Sequence, residues 1–197
     1  MASAHERDPA SSSIGALRPV RLVLLGMMGS GKSSVGRALS GRTGWRFVDN
    51  DELVQAATGR TARQLLTEQG EGAMRAAESA ALRTGLALPI PVIVATAAGT
   101  ILDSEHRGEL RTAGFVVWLN APAEALAARA VGATHRPWLD DDPVAWFRRT
   151  LAERRAWYDE VSDLEIDTSV TTPDVAATVI LAAVSGLRDE RLPSPHG

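Results

Sequence analysis

Five short strand-like runs, three of them mainly apolar and two alternating apolar with polar residues, are spaced along the chain and separated by longer, more polar segments. The runs lie at 20–25, 45–48, 91–96, 114–119 and 164–167. The third and fourth are continuously apolar, which is typical of parallel strands covered on both faces. Strands that alternate with helical segments predict an α/β fold, a five-stranded parallel sheet flanked by helices and joined by right-handed crossovers.

The segments between these runs have the spacing and composition of helices. Helices are predicted after residue 33 and at 122–131, 144–161 and 173–187. Residues 52–88 are rich in alanine, contain no strand-like run, and are expected to be broken at the glycines at 59, 70 and 72. Thr61 followed by Gln64 predicts a helix start in this segment.

The ends of the chain and one internal stretch have the composition of loops. Residues 1–18 and 188–197 are predicted to be disordered tails around a single domain at 19–187. Residues 132–143 are polar and contain a proline and three consecutive aspartates, so a mobile loop is expected there.

Composition narrows the classes of function. A net charge of −3 and a pI near 5.8 provide no basic surface for nucleic acid. The absence of cysteine excludes disulfides and thiolate metal sites, and four scattered histidines make a zinc site a poor expectation. No run of eighteen apolar residues exists, so no membrane span is predicted. We expect a cytoplasmic monomer that binds a small molecule.

The strongest motif follows the first run and reads Gly26-Met27-Met28-Gly29-Ser30-Gly31-Lys32-Ser33. It matches the phosphate-binding loop G-x-x-x-x-G-K-[ST], placed between a strand and a helix as that loop requires. Backbone N–H groups from Gly29 to Ser34 would surround the phosphates at a helix N-terminus. Lys32, the one lysine among 21 basic residues, would reach the β- and γ-phosphates, and the Ser33 hydroxyl would bind Mg²⁺.

Two carboxylates follow the second run. Asp49 and Asp51 are two residues apart, so on an extended segment both would project to one side, toward the crevice at the carboxyl ends of the strands. One could hold Mg²⁺ and the other could accept a proton from a substrate hydroxyl. Capping of the following helix is an equally open interpretation.

From about Val20 to the last helix, the sequence resembles the shikimate kinase family. The resemblance implies a P-loop fold like that of the nucleoside monophosphate kinases, with residues 132–143 as a mobile lid and about 50–88 as the acceptor-binding segment. It also implies ATP and Mg²⁺. Asp49 matches a residue near the metal, and Asp51 matches the residue taken as the base. Arg75 matches an arginine that binds the shikimate carboxylate, although an ordinary helical ion pair with Glu71 or Glu78 would explain it too.

Further matches occur in the second half of the chain. Arg136 matches a lid arginine that closes over the transferring phosphate. Arg129 and Pro173 match residues on the two faces of the adenine pocket. Arg154, four residues before Tyr158, matches a second carboxylate-binding arginine. Taken singly, each of the three arginines could instead belong to a solvated loop or helix face.

The departures from the family pattern gather on the acceptor side. Where the family has three glycines that contact the acceptor, this chain has Ala97-Ala98-Gly99, with Ala98 and Gly99 at the positions expected to bind it. Met74 stands where the family has phenylalanine, and Trp138 and Trp157 replace smaller apolar residues. The nucleotide-binding motifs are intact, and the altered positions lie on the acceptor side. The pattern therefore supports a kinase more strongly than it supports shikimate as the acceptor.

Two classes of function remain in view. The first is an enzyme that transfers the γ-phosphoryl group of ATP to a hydroxyl of a small carboxylated cyclic polyol, with shikimate, giving shikimate 3-phosphate, as the first choice. A paralogue acting on another cyclitol or sugar acid is its nearest variant. The second is a non-catalytic, ATP-binding switch. Asp51, Arg75 and Arg154 favour the enzyme, whereas Ala97 and Ala98 favour the switch.

Overall fold

The structure, a computed structural model, describes residues 20–130 and 142–186. Five strands lie in these ranges: β1 (Arg21–Leu25), β2 (Arg46–Asp49), β3 (Val92–Ala95), β4 (Phe115–Asn120) and β5 (Leu164–Asp167). They form one sheet in the order β2-β3-β1-β4-β5, and every neighbouring pair is parallel. The predicted five-stranded parallel sheet is confirmed.

Eight α-helices connect and cover the strands of the described residues. They are α1 (Lys32–Thr43), α2 (Asn50–Thr58), α3 (Ala62–Gln69), α4 (Glu71–Ala87), α5 (Ser104–Ala113), α6 (Ala123–Ala130), α7 (Pro143–Val161) and α8 (Pro173–Ser185). A 3₁₀ turn, Thr100–Leu102, lies between β3 and α5. No helix in the described ranges combines the length and the apolar character that crossing a membrane requires.

Three local predictions about these helices need correction. Gly72 does not break a helix, because it lies in the first turn of α4, whereas Gly59 and Gly70 do end helices. Asp51 does not lie on an extended segment, because α2 begins at Asn50 with Asp49 as its cap. Pro143 opens α7, where its fixed φ suits the first turn, so it is not part of a loop.

The expected start of α3 at Thr61 is confirmed. The Thr61 side chain accepts a hydrogen bond from the Gln64 backbone N–H, and the Gln64 side chain accepts one from the Thr61 backbone N–H. This reciprocal pair satisfies two donors that the first turn of a helix leaves open. The Thr–Gln spacing in the sequence therefore located the helix start to the residue.

Apolar side chains pack on both faces of the sheet. On one face, residues of β1, β3 and β4 such as Leu24 and Val117 pack against α1 and α8. On the other, Val23, Val116 and Trp118 pack against α4, α5 and α7. The central strands are buried except for Arg21 at the start of β1 and Asn120 at the end of β4, whereas the edge strands β2 and β5 each contain one buried residue. This pattern explains why the central strands are continuous apolar runs in the sequence.

Because all five strands are parallel, their carboxyl ends lie at one edge of the sheet. The phosphate-loop motif follows β1, Asp49 ends β2, the Ala97–Gly99 turn follows β3, and Thr168 follows β5. In open parallel sheets, ligands bind at this edge. The fold thus gathers the motifs of four distant segments around one cleft.

Candidate active site

A cleft of about 1380 Å³ opens at the carboxyl edge of the sheet. This volume exceeds the roughly 300–1,000 Å³ of a typical single-ligand pocket, so two ligands can share it. One end is lined by the motif loop, Arg129 and residues 168–173. The other is lined by α2, α3, α4, the Ala97–Gly99 turn and Arg154. We call these the nucleotide end and the acceptor end, after the roles that the sequence predicts for them.

The motif loop has the backbone that a phosphate cradle needs. Gly26 and Gly31 adopt φ of 144° and 90°, in the region that residues without a Cβ favour. A Cβ at Gly26 would also overlap the Leu119 carbonyl oxygen. Gly31 directly precedes α1, so backbone N–H groups at the start of this helix are available to an anion.

The Lys32 ammonium lies over the loop. Its Nζ donates hydrogen bonds to the carbonyl oxygens of Gly26, at 2.8 Å, and Met27, at 3.0 Å. Lys32 is the first residue of α1 and lines the cleft. The ammonium is therefore positioned by the loop at the place where phosphate oxygens would bind.

Two side-chain oxygen atoms that could coordinate a metal ion lie together beside Lys32. The Ser33 hydroxyl donates a hydrogen bond of 2.5 Å to Asp49 Oδ2, while Asp49 Oδ1 accepts from the Asp51 backbone N–H at 3.1 Å. Asp49 therefore caps α2 and faces Ser33 at the same time. A hydroxyl and a carboxylate suit Mg²⁺, which commonly takes few protein ligands and completes its shell with water and phosphate. No larger cluster of metal-binding side chains occurs within residues 20–130 and 142–186.

Asp51 lies in the first turn of α2 and lines the acceptor end of the cleft. Its neighbour Glu52 lines the same wall, and Gln55 follows one turn later. A carboxylate in the first turn is favoured by the partial positive charge of the helix N-terminus. The helix start, not an extended segment, accordingly directs Asp51 into the cleft.

Arg75 projects from α4 between two carboxylates. Its guanidinium donates to Glu78 Oε2 at 3.0 Å and to Glu71 Oε1 at 3.2 Å. The helical ion pairs that the sequence left as an alternative are thus present, and Arg75 also lines the cleft. Gly99, on the opposite wall, has an ordinary φ of −87°, but a Cβ there would overlap the Arg75 guanidinium.

Glu78, which pairs with Arg75, also lines the cleft. Burial raises its pKa above the usual range, and the positive charge and hydrogen bond of Arg75 partly oppose this rise. The negative charges of Asp51 and Glu71 raise the pKa further. Arg75 therefore stabilises the charged form of Glu78, so a change at either side chain affects the other.

Arg154, on α7, reaches the turn that follows β3. Its Nη1 donates to the Ala98 carbonyl oxygen at 3.2 Å and lies 3.6 Å from the Met27 sulfur. Arg154 and Arg75 line the same end of the cleft, although they are 79 positions apart in the chain and lie on different helices. The two arginines can therefore face one bound anion.

Beneath Arg154, Tyr158 stacks on Trp118 with ring centroids 4.8 Å apart. Tyr158 is 1% exposed, and no hydrogen-bond partner for its hydroxyl occurs in the described part of the chain. Burial raises its pKa to about 12, against a smaller opposing effect of the Arg154 charge. The buried ring pair supports the helix turn that carries Arg154.

This burial predicts a measurable titration. Tyr158 is the one tyrosine of the chain, so phenolate absorbance reports on this site alone. The midpoint should lie at about 12 in the folded protein and at about 10 in denaturant. Because folding raises this pKa, the phenol stabilises the fold fully below pH ~10 and loses that contribution as the pH rises through about 12.

Tyr158→Phe is the matched variant for that titration. It should lose less stability than the parent between these two pH values, because phenylalanine has no proton to release. Circular dichroism at each pH would restrict the comparison to folded protein. A folded-state phenolate midpoint near that of the denatured chain would contradict the burial of this ring.

At the nucleotide end, Arg129 lies in the last turn of α6. It donates to the Gly29 carbonyl oxygen at 3.1 Å and to the Thr168 carbonyl oxygen at 2.8 Å, and so joins the motif loop to the end of β5. Pro173, the first residue of α8, lines the same end. The role of both residues beside adenine stays a prediction.

One expected site residue is not part of this lining, and another is not described. Ser30 is 1% exposed and does not line the cleft, although its neighbours Gly29 and Gly31 do. Arg136 lies outside the described residues, as do 132–141 of the expected lid. The remaining candidates do line it: Gly29, Gly31, Lys32, Ser33, Ser34, Asp49, Asp51, Arg75, Ala98, Gly99, Arg129, Arg154 and Pro173.

Sequence reasoning missed several lining residues that belong to no motif. They include Gln55, Arg63, Leu66, Trp146 and Thr168. Helical spacing could have found Gln55, which lies four residues after Asp51, whereas Arg63 and Leu66 reach the cleft because α3 packs against α4. The other positions follow only from the packing of α7 and of the segment after β5.

The chain was compared with known proteins. A family model described as shikimate kinase matches residues 28–185. The chain belongs to the shikimate kinase family. It is 39% identical over 165 residues to the shikimate kinase of Symbiobacterium thermophilum, with 82% of this chain and 94% of that protein covered. It is 36% identical over 174 residues to that of Chromobacterium violaceum, covering 88% and 90%.

Solved structures agree with this membership. The shikimate kinase of Acinetobacter baumannii, in complex with shikimate, superimposes with a TM-score of 0.78 at 30% identity, covering 84% of this chain and 92% of that one. A member of this family is a phosphotransferase with a P-loop, and the fold of the chain is the fold of those kinases. The expectation of a P-loop kinase is confirmed.

Proposed function

We propose that the protein transfers the γ-phosphoryl group of ATP to a hydroxyl of shikimate, giving shikimate 3-phosphate and ADP. The observation that carries this proposal is the single cleft lined by Lys32, Asp51, Arg75 and Arg154. It combines a phosphate cradle, a candidate base and two guanidinium groups for a carboxylate. The A. baumannii relative, whose structure contains shikimate, supports the choice of acceptor.

At the nucleotide end, we propose that the loop from Gly29 to Ser34 holds the phosphates of ATP. Lys32 neutralises charge on the β- and γ-phosphates, and it already lies over the loop through its bonds to two carbonyl oxygens. Mg²⁺ bound at Ser33 and Asp49 would supply positive charge to the phosphate oxygens. Arg129 and Pro173 flank the adenine ring of ATP. Phosphoryl transfer depends mainly on such positioning and charge compensation.

At the acceptor end, we propose that Arg75 and Arg154 bind the carboxylate of shikimate. A planar guanidinium can offer two parallel N–H donors to a carboxylate, which fixes orientation as well as position. Ala98 and Gly99 form the facing wall. The acceptor hydroxyl then lies near Asp51, at the first turn of α2.

In the transfer step, the hydroxyl oxygen of the acceptor forms a bond to the γ-phosphorus as the bond from that phosphorus to the β–γ bridging oxygen breaks. The Asp51 carboxylate takes the hydroxyl proton, and the electron pair of the broken bond stays on ADP. Lys32 stabilises the charge that builds on the phosphoryl oxygens. Arg136, in the proposed lid at 132–143, would do the same on closure.

The remaining parts of the proposal concern the whole chain. We propose one kinase domain at 19–187, with residues 50–88 as the acceptor-binding segment, acting as a cytoplasmic monomer. The tails expected at 1–18 and 188–197 lie outside the described residues. Exclusion of water by the lid would prevent hydrolysis of ATP before the acceptor binds. These features rest on the sequence and on the resemblance.

The runner-up is a paralogue that uses another cyclitol or sugar acid, or an ATP-binding switch without activity. It is favoured by one observation, the side chains of Ala97 and Ala98 at the wall of the acceptor end. A coupled assay for ADP release, run with and without shikimate, separates these functions. Shikimate-dependent release supports the proposal, whereas release that shikimate does not change would contradict it.

Replacing Ala97 and Ala98 by glycine tests the acceptor directly. If shikimate is the acceptor, the double variant should bind it more tightly, because two methyl groups are removed from the wall that it contacts. The measurement is kcat/KM for shikimate in both proteins, since that ratio reports how far the enzyme stabilises the transition state relative to free enzyme and free shikimate. A trace rate in the parent, with no gain in the variant, would leave only a small-molecule kinase.

A further inference from the structure

Arg107, on α5, lies outside the cleft but contacts α7, which lines the cleft through Arg154, and the 3₁₀ turn that follows the Ala97–Gly99 wall. Its Nη1 donates to the carbonyl oxygens of Ile101, at 3.0 Å, and Leu102, at 3.3 Å, which belong to the 3₁₀ turn. Its Nε donates to Glu160 Oε2, on α7, at 3.0 Å. The guanidinium also stands 5.2 Å from the ring centroid of Trp157 on the same helix.

The 3₁₀ turn continues directly from the acceptor wall. The Thr100 backbone N–H donates to the Ala97 carbonyl oxygen at 3.2 Å, and the Leu102 N–H donates to the Gly99 carbonyl oxygen at 3.1 Å. These bonds fix the Ala97–Gly99 turn to residues 100–102. Arg107 closes the other end of that unit, because it holds the last two carbonyl groups of the turn.

The second segment, α7, carries Arg154. Trp157 lies three residues after Arg154, so the two side chains lie on one face of the helix, and Glu160 follows three residues later. Within the cleft, Arg154 donates to the Ala98 carbonyl oxygen at 3.2 Å. The Ala97–Leu102 unit and α7 are therefore joined twice, by Arg154 at the cleft and by Arg107 behind it.

We propose that Arg107 is a positioning residue for the acceptor end, which sets the distance between the Ala97–Gly99 turn and Arg154. Its side chain is 15% exposed, and its two carbonyl bonds, its ion pair and its ring contact leave the guanidinium little freedom. The nucleotide end has no share in these contacts. This inference rests on the proposed function insofar as it names shikimate as the molecule that binds at this wall.

Arg111 provides a matched control on the same helix. It pairs with the same carboxylate, through Glu160 Oε1 at 3.1 Å, but its side chain is 57% exposed. None of the hydrogen bonds in the described ranges joins Arg111 to the 3₁₀ turn. Arg107→Met and Arg111→Met thus remove the same charge and leave the same unbranched side chain. They differ because Arg107→Met also removes the hydrogen bonds to the 3₁₀ turn.

The first measurement is steady-state kinetics of both variants. Arg107→Met should lower kcat/KM for shikimate by about tenfold, because small misplacements in a binding wall are costly, while KM for ATP stays at the parent value. Arg111→Met should match the parent in both. Arg107→Lys, which keeps the charge but not the fork, should fall between them. Equal changes for the two substrates, or equal behaviour of the two methionine variants, would overturn the proposal.

The second measurement needs no substrate. Hydrogen exchange of the ligand-free protein should show faster exchange of the Thr100 and Leu102 amides in Arg107→Met, and parent rates in Arg111→Met. Unchanged exchange at these amides would overturn the proposal even if the kinetics changed. A parent enzyme without shikimate turnover would instead contradict the proposed function, and the exchange data would still decide the role of Arg107.

Discussion

Replacing Lys32 by alanine should abolish phosphoryl transfer, with a loss of about 10²–10³ in kcat or more, because one preorganised positive donor at the transferring phosphate is typically worth that much. The ammonium is held by the Gly26 and Met27 carbonyl oxygens, so it is in place before ATP binds. The loss should therefore appear in kcat as well as in the affinity for ATP.

Lys32→Arg is the informative companion variant. It keeps the charge, but a planar fork cannot occupy the position of a compact ammonium over two carbonyl groups of a tight loop. We expect it to be nearly as inactive as Lys32→Ala, with an unchanged melting temperature confirming that the fold is intact. A Lys32→Ala protein with parent activity would contradict the assignment of this loop to phosphate.

Asp51→Asn should remove most of the turnover while nucleotide binding persists. The side chain keeps its size and its place in the first turn of α2, but the amide cannot accept the hydroxyl proton. General-base catalysis is commonly worth about 10²–10⁴ in rate, so a loss in that range is expected in kcat. Binding of ADP, measured by calorimetry, should stay near the parent value.

Glu52→Gln is the matched control for this variant. Glu52 follows Asp51 in the same helical turn and lines the same cleft. The same chemical change there should leave most of the turnover, because a second carboxylate has no part in the proposed proton transfer. Equal losses in the two variants would show that Asp51 acts through the charge of the wall and not as the base.

Much of the fold could be predicted from local pattern. The central strands are apolar because both faces of the sheet are covered, and the loop motif carries its own backbone requirements in its glycines. The Thr61 cap was readable because a capping box is a contact between residues three apart. Features that depend on residues close together in the sequence could therefore be predicted without the structure.

Features that depend on contacts between distant segments could not be predicted from the sequence. The pattern assigned no element to residues 100–113, where the 3₁₀ turn and α5 lie. Both elements pack against α7, and the hydrogen bond from Arg107 to Glu160 joins residues 53 positions apart. Arg107 belongs to no motif, so nothing in its local sequence distinguished it from the other arginines.

The Ala97–Gly99 turn shows how the structure changes the meaning of a motif. The resemblance implies that Gly99 lies at this turn because it contacts the acceptor. Gly99 has an ordinary φ, and the space above it is taken by the Arg75 guanidinium. One glycine of the turn is thus required by a protein side chain, a requirement that no local pattern reveals.

The central claim, transfer of a phosphoryl group from ATP to shikimate, is tested most directly by identifying the product. Purified protein, ATP, Mg²⁺ and shikimate would be incubated, and the mixture analysed by mass spectrometry and by phosphorus nuclear magnetic resonance. We expect a monophosphate ester of shikimate, with its phosphorus coupled to the proton on the carbon of the 3-hydroxyl, formed in equal amount to ADP. Formation of ADP and inorganic phosphate with shikimate unchanged would contradict the account.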